Sequence, residues 1–470
     1  MLHRFSQNGY NLALDVSSGA VHVLDELSYR LSAFASEAMP EEPPAEALRQ
    51  LASDYAESEI REAWGELRGL QEQGVFCSPD RDADYAETIG AASADAPVKS
   101  MCLNVAHDCN LRCRYCFAST GDFGGGRKLM PFEVGRAALD FLIANSGKRR
   151  NLEVDFFGGE PLMNFDVVRQ IVAYGREQEK AHGKHFRFTI TTNGVLLDDE
   201  KIDYINREMH NAVLSIDGRR DINDAMRPHA DGRGSYDEIL PRYQKLVAGR
   251  AGEYYVRGTY TNRNLDFTAD VLHLADAGFD QISMEPVVSG EDSPYALRET
   301  DLPRIFEEYE TLAKAFLERK KAGKGFNFFH FMLDLDGGPC IVKLLRGCGC
   351  GNEYVAVTPE GDIYPCHQFV GKPEMLMGNV LTQKGPFRNE MKASFSRANI
   401  FTKHGCTECW ARYFCSGGCN ANNYQYCGDM LEPLPISCEL ERKRLECALM
   451  IKAALADGPE PDADLREKRG

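Results

Sequence analysis

The chain has no run of eighteen apolar residues, so no stretch of it is long enough to cross a bilayer as a helix. Its first thirty residues lack the charged, apolar and small-residue zones of a secretory signal, and the expected location is the cytoplasm. Positive charge is also scarce: 54 Lys and Arg against 71 Asp and Glu leave a formal charge of −17. A surface for nucleic acid or anionic lipid needs a concentrated basic face, and short runs such as Lys148-Arg149-Arg150 read as solvated helix ends. No nucleic-acid or membrane partner is therefore expected. Cysteine, by contrast, is abundant, with sixteen in 470 residues. In a reducing compartment that number points to metal or redox work and not to disulfides. With 43% hydrophobic residues the chain can bury real cores in two to four domains.

Residues 1–77 open on Asn8-Gly9, a favoured two-residue hairpin turn, flanked by Leu2 to Ser6 and by the alternating Tyr10, Leu12, Leu14 and Val16. Ser17-Ser18-Gly19 makes a second turn, and Asp25 can cap the first of three helical stretches. Residues 78–97, polar and rich in Asp and Ala, read as a linker. Residues 98–335 alternate strand and helix, with candidate strands at Met101–Ala106, Leu152–Phe157, Phe186–Thr191, Ala212–Ile216, Tyr254–Tyr260 and Gln281–Val287. Six βα units predict an α/β fold, a partial (βα)6 TIM-like barrel whose site lies on loops after the strands' carboxyl ends. Residues 336–450 hold most of the cysteines and little apolar periodicity, as expected of a segment organised by metal. Residues 451–470 read as a tail.

Cys109, Cys113 and Cys116 stand in a Cys-x3-Cys-x2-Cys run, and no fourth ligand is near in the sequence. Three thiolates leave one iron of a cubic cluster open, whereas structural zinc wants four protein ligands. The run, with its Asn-Leu-Arg filler and the aromatic Phe117 after it, resembles that of the radical S-adenosylmethionine (SAM) enzymes. The resemblance implies a [4Fe-4S] cluster on these cysteines, SAM on its open iron, and a deoxyadenosyl radical that takes hydrogen from carbon. It also implies SAM contacts from Tyr115 inside the run and from Gly158, Gly159, Glu160 and Pro161, which resemble the family's Gly-Gly-Glu-Pro motif. Thr192-Asn193 and Ser215-x-Asp217 match family positions around the ribose and methionine parts. Arg227 matches an arginine that can pair with the SAM carboxylate, and Arg257 is its rival. The loop from Phe117 to Gly126 is glycine-dense enough to pass close to cofactor and substrate.

Farther on, Cys348, Gly361-x4-Cys366, Cys406-x2-Cys409-x5-Cys415-x3-Cys419 and Cys438 follow in order. In isolation a Cys-x2-Cys pair reads as zinc. The whole order resembles the SPASM domain, which carries two auxiliary [4Fe-4S] clusters, so three clusters are implied in all. The family's interleaved ligation assigns Cys406, Cys409, Cys415 and Cys438 to the distal cluster and Cys348, Cys366 and Cys419 to the nearer one. The fourth ligand of the nearer cluster is open among Cys340, Cys350 and none, an open iron that a substrate thiolate could bind. Cys77, Cys102, Cys427 and Cys447 read as ordinary buried cysteines.

The three segments together resemble the maturases of SCIFF peptides, named for six cysteines in forty-five residues. The likeness is carried by His3-Arg-Phe-Ser-Gln-Asn-Gly-Tyr-Asn, by Ala106-His-Asp-Cys-Asn-Leu-Arg-Cys-Arg-Tyr-Cys-Phe and by Tyr354-Val-Ala-Val-Thr-Pro-Glu-Gly-Asp-Ile-Tyr-Pro-Cys-His. It implies thioether links in a precursor peptide, an amino-terminal winged-helix-like element that binds the peptide's leader by strand addition, and a flavodoxin- or ferredoxin-like reductant. The runner-up is an anaerobic sulfatase maturase, whose pattern has Asp as a base where this chain has His367. A non-catalytic iron-sulfur electron carrier is the rival from another class.

Overall fold

The computed structural model describes residues 1–80, 96–335 and 341–456, with the backbone alone at 341–343. The chain opens with β1 (Leu2–Gln7), β2 (Tyr10–Asp15) and β3 (Val21–Leu24), an antiparallel sheet in that order. Asn8 (φ 49°) and Gly9 (φ 85°) take the two positive φ angles that a type I′ hairpin requires. Helices α1 (Glu26–Leu31), α2 (Ala45–Leu51) and α3 (Glu57–Glu72) follow. Alternation along β2 divides its faces. Ala13 faces a small core with Leu31, Leu51, Trp64 and Leu67, while Leu12 and Leu14 join the main core of the molecule.

The main sheet holds β4 (Ser100–His107), β5 (Lys128–Leu129), β6 (Asn151–Gly158), β7 (His185–Thr192), β8 (Asn211–Ser215), β9 (Glu253–Tyr260), β10 (Gln281–Pro286) and β11 (Asn327–Phe328). To these the carboxy-terminal segment adds β12 (Tyr354–Val357), β13 (Asp362–Tyr364) and β14 (Gly378–Asn379). The order is β11-β10-β9-β8-β7-β6-β4-β12-β13-β14, with β5 also paired to β4. All six strands expected from the sequence are present and parallel to their neighbours in this set. Leu152, Val154 and Phe156 of β6, and Phe186, Phe188 and Ile190 of β7, bury one face in the main core. The intervening Asp155, Phe157, Thr189 and Thr191 are only half-buried and line the barrel interior.

Two boundaries differ from the sequence reading, and the cysteine-rich segment joins the main sheet. β12 pairs in parallel with β4, so the cysteine-rich segment extends the barrel sheet and does not form a separate layer. The linker does not begin at 78, because Ser78 is buried and its hydroxyl bonds to Asp15. The tail does not begin at 451, because one helix runs from Pro435 to Ala456 and buries Leu449, Met450, Ile451, Ala453 and Ala454. That helix packs on the amino-terminal sheet and on the helix Leu302–Lys321. Gln7 Nε2 donates to Cys447 Sγ at 3.1 Å, and His3 stacks on Trp410 with ring centres 3.7 Å apart. Among the described residues no helix is long and apolar enough to cross a membrane.

Candidate active site

The loop after β4 carries Cys109, Cys113 and Cys116 and is held from two sides. Arg112 N–H donates to Pro228 O at 2.8 Å and Arg114 N–H to Met226 O at 2.9 Å. Opposite, Gly159 N–H donates to Ala106 O at 2.7 Å and Glu160 N–H to Asp108 O at 2.9 Å. The second contact requires glycine: a Cβ on Gly159 would stand 2.1 Å from Asp108 O, and one on Gly121 (φ +101°) 2.8 Å from Cys109 Cβ. Phe117, Ala118, Thr120 and Gly121 of the following loop line the same cavity as the cysteines.

Glu160 is fully buried and locks three strand ends together. Its Oε1 accepts from Leu162 N–H at 3.0 Å and from Thr192 Oγ1 at 2.7 Å, and its Oε2 accepts from Asn193 N–H at 2.8 Å. Burial nonetheless raises its carboxyl to about 7. Asn193 Nδ2 in turn donates to Asn110 Oδ1 at 2.8 Å and lies 3.6 Å from Cys109 Sγ. Asn110, which sequence reasoning passed over as filler in the cysteine run, thus ties the third strand's end to the loop.

Tyr115, Asp217 and Arg227 brace the loop from beneath. Tyr115 Oη donates to both Asp217 oxygens at 2.7 and 2.8 Å, Arg227 Nε donates to Oδ1 at 2.9 Å, and Thr259 N–H donates at 3.0 Å. Asp217 is fully buried, with all these donors on it, and it does not line the cavity. Pro161, first residue of the short helix Pro161–Asn164, is buried and off the cavity as well. Gly158, Gly159, Glu160, Thr192, Asn193, Ser215, Tyr115, Arg227 and Arg257 do line it. Of the two arginines, Arg227 is engaged with Asp217, whereas Arg257 is half exposed and stands 3.6 Å from Glu285. Arg257 is the freer to meet a carboxylate.

Burial pushes the Cys109 thiol up to about 12 and the Cys113 thiol to about 11. Cys406, Cys409, Cys415 and Cys438 line a second cavity together with Arg412 and Arg442. Cys348, Cys350, Cys366 and Cys419 line a third, inside the barrel, with His367 and Tyr354. Cys350 hydrogen-bonds Cys366 and holds that thiol below its usual range. Cys340 lies outside the described residues. Among those described, no three such ligands converge as around a single ion. Tetrahedral zinc with Zn–S of about 2.3 Å would draw four sulfurs to within roughly 3.8 Å of one another, while a cube spreads its ligands over its corners. Each cavity thus offers three or four thiols, a donor set of the kind that holds iron-sulfur clusters.

His367 packs against Phe117 and Phe157, its Nδ1 3.3 Å from Tyr354 Oη, and burial lowers it to about 4. Of the four remaining cysteines, Cys77, Cys102 and Cys447 are buried and Cys427 is half-buried.

The radical SAM superfamily model matches residues 103–249. The cysteine-type anaerobic sulfatase-maturating enzyme of Clostridium novyi (strain NT) is 24% identical over 330 residues, 67% of this chain and 86% of its own. An uncharacterized protein of Methanocaldococcus jannaschii is 29% identical over 189 residues, 40% of this chain, and the chain spans 62% of that relative's length. Among solved structures, anSMEcpe with bound S-adenosylmethionine superposes with a TM-score of 0.64 at 19% identity, covering 77% of this chain and 99% of its own. Streptococcus suis SuiB bound to S-adenosylmethionine covers 92% of this chain and 97% of its own, with a TM-score of 0.52 at 14% identity. Other structures hold anSMEcpe with a Kp18Cys peptide and SuiB with its precursor peptide SuiA. The fold is the α/β radical SAM fold.

Proposed function

We propose, from the premise that residues 103–249 form a radical SAM domain, that this chain is a peptide maturase joining a cysteine sulfur to a carbon of another residue in a SCIFF-type precursor. The observation that carries the reading is the barrel interior. The triad and the SAM-binding candidates other than Asp217 and Pro161 line its upper cavity, Cys348, Cys366 and Cys419 line its lower one, and Gln368 belongs to both. A peptide side chain held there lies between two redox sites.

When bound, a four-iron cluster with SAM supplies a deoxyadenosyl radical able to take hydrogen from unactivated carbon. The chain's own residues do the rest. Cys109, Cys113 and Cys116 would hold that cluster, and Gly158 to Glu160, Thr192, Asn193, Ser215 and Arg257 would hold SAM. The Tyr115–Asp217–Arg227 brace keeps the loop in place. Cys406, Cys409, Cys415 and Cys438 would hold a distal cluster, and Cys348, Cys366 and Cys419, with Cys350, a nearer one. A peptide substrate is supported by the peptide-bound anSMEcpe and SuiB structures, and SuiB's likeness extends over more of this chain than that of anSMEcpe.

Mass spectrometry of a synthetic SCIFF-type peptide, six cysteines in forty-five residues, after reaction with the reconstituted enzyme tests this. The expected product has lost two hydrogens per thioether and kept every sulfur. Loss of sulfur with gain of an aldehyde would favour formylglycine formation, the reading that the sulfatase-maturase relatives support.

The leader is expected to add a strand to β3, which pairs with β2 alone among the described residues and leaves Val23 exposed. Val23→Pro removes a ladder donor from that edge and should raise the peptide's Kd about tenfold or more by fluorescence anisotropy, with iron content unchanged. An unaltered Kd would place the leader elsewhere.

A further inference from the structure

Asp155 sits on the inner face of β6, opposite Cys102 of β4 and Thr189 of β7. It lines the interior cavity of about 650 Å³ that also holds Cys366, Cys419 and His367. Thr191, whose Oγ1 is 3.5 Å from Asp155 Oδ1, lines the upper cavity with the cysteine triad and Arg257. The carboxylate thus stands where the two cavities meet, at the place the maturase reading reserves for the peptide side chain. Resting on that reading, we propose that Asp155 is the base that takes the proton from the substrate cysteine. The S–H bond breaks with its electron pair left on sulfur, and the proton passes to a carboxylate oxygen.

Its surroundings suit the task. Cys102 on β4 and Tyr354 on β12 face it as neutral groups, because burial raises both well above their usual ranges. Arg257 on β9 is the cation on that side, and it also neighbours Glu285 of β10. Glu153 of β6 and Arg187 of β7 lie farther along the same cavity. The hydrogen bond that Thr191 Oγ1 donates to Asp155 is long, at 3.5 Å, and desolvation inside the barrel brings the carboxyl to about 7. A cysteine thiol near 8.5 then transfers its proton against a gap of about 1.5 units, roughly 30-fold. His367 packs its ring against Phe117 and Phe157 and keeps Nδ1 3.3 Å from Tyr354 Oη, whereas the Asp155 carboxylate faces the cavity with one long contact.

The experiment follows cross-linking of a synthetic SCIFF-type peptide, six cysteines in forty-five residues, from about pH 5.5 to 9, in the full reconstituted enzyme. In wild type the rate should climb about tenfold per pH unit and level off above about 7, because the base acts only when ionised. Asp155→Asn, at equal iron content, should lower the rate about 100-fold or more and erase that rise, while His367→Gln keeps it. An Asn form within about threefold of wild type with the rise intact overturns the proposal, as does a rise lost in His367→Gln instead. Should the Asn form take up less iron, Asp155→Glu decides: a displaced rise supports the assignment and an identical profile overturns it. The maturase reading is judged separately by the wild-type product. Sulfur loss sinks the thioether chemistry while the pH comparison still judges Asp155 on the same thiol, and no peptide product at any pH sinks both.

Discussion

Replacing Cys109, Cys113 and Cys116 together by Ala should remove about four of about twelve irons per reconstituted chain and abolish the cleavage of SAM to 5′-deoxyadenosine. The loop's shape does not depend on the thiols. It is set by the bonds of Arg112 and Arg114 to residues 226–228, by the glycine contact with Asp108 and by Tyr115 on Asp217. Alanines therefore take away ligands and leave the scaffold, and the distant cysteine cavities should keep their iron. Iron analysis and chromatography of the nucleoside check the two halves separately. A triple variant that still makes 5′-deoxyadenosine would refute the placement of the radical site.

Cys350→Ala is expected to have the next largest effect, a loss of up to about four irons per chain. Cys340→Ala should leave iron unchanged. Cys350 shares a cavity with Cys348, Cys366 and Cys419 and hydrogen-bonds Cys366, so it is positioned to complete that set of four. If it does, peptide should not alter the nearer cluster's spectrum in wild type, but should do so in Cys350→Ala, where a substrate thiolate can enter the vacated position. A core peptide with Cys→Ser would then be silent in the variant. Full iron and activity in Cys350→Ala, together with a wild-type spectrum that responds to the cysteine peptide, would show an open iron instead. A fully ligated cluster also leaves the substrate thiol's proton to be taken by a protein group, which is the part assigned to Asp155.

The amino-acid sequence by itself determined the cysteine spacings, the Asn8-Gly9 hairpin and the six parallel strands. Each is a local pattern: fixed offsets, positive φ at two adjacent residues, and alternation of apolar with polar residues along strands buried on one side. The run from Leu152 to Phe157 already separates a helix-facing set from an inward set that contains Asp155, but nothing local says what lies across the barrel from it. Only the tertiary structure turned Asp217 away from the cavity onto Tyr115 and Arg227, leaving Arg257 the freer arginine. It likewise brought Cys350 to Cys366 and Cys419 and joined β12 to β4. It also carried the last helix through Ala456. From Cys447 to Ala454 nearly every residue of that helix is buried, against the amino-terminal sheet on one side and Leu302–Lys321 on another, so no apolar stripe of helical period marks it in the sequence. Such pairings depend on which surfaces meet after the chain has closed on itself, and residues hundreds of positions apart carry no local periodicity that records the meeting.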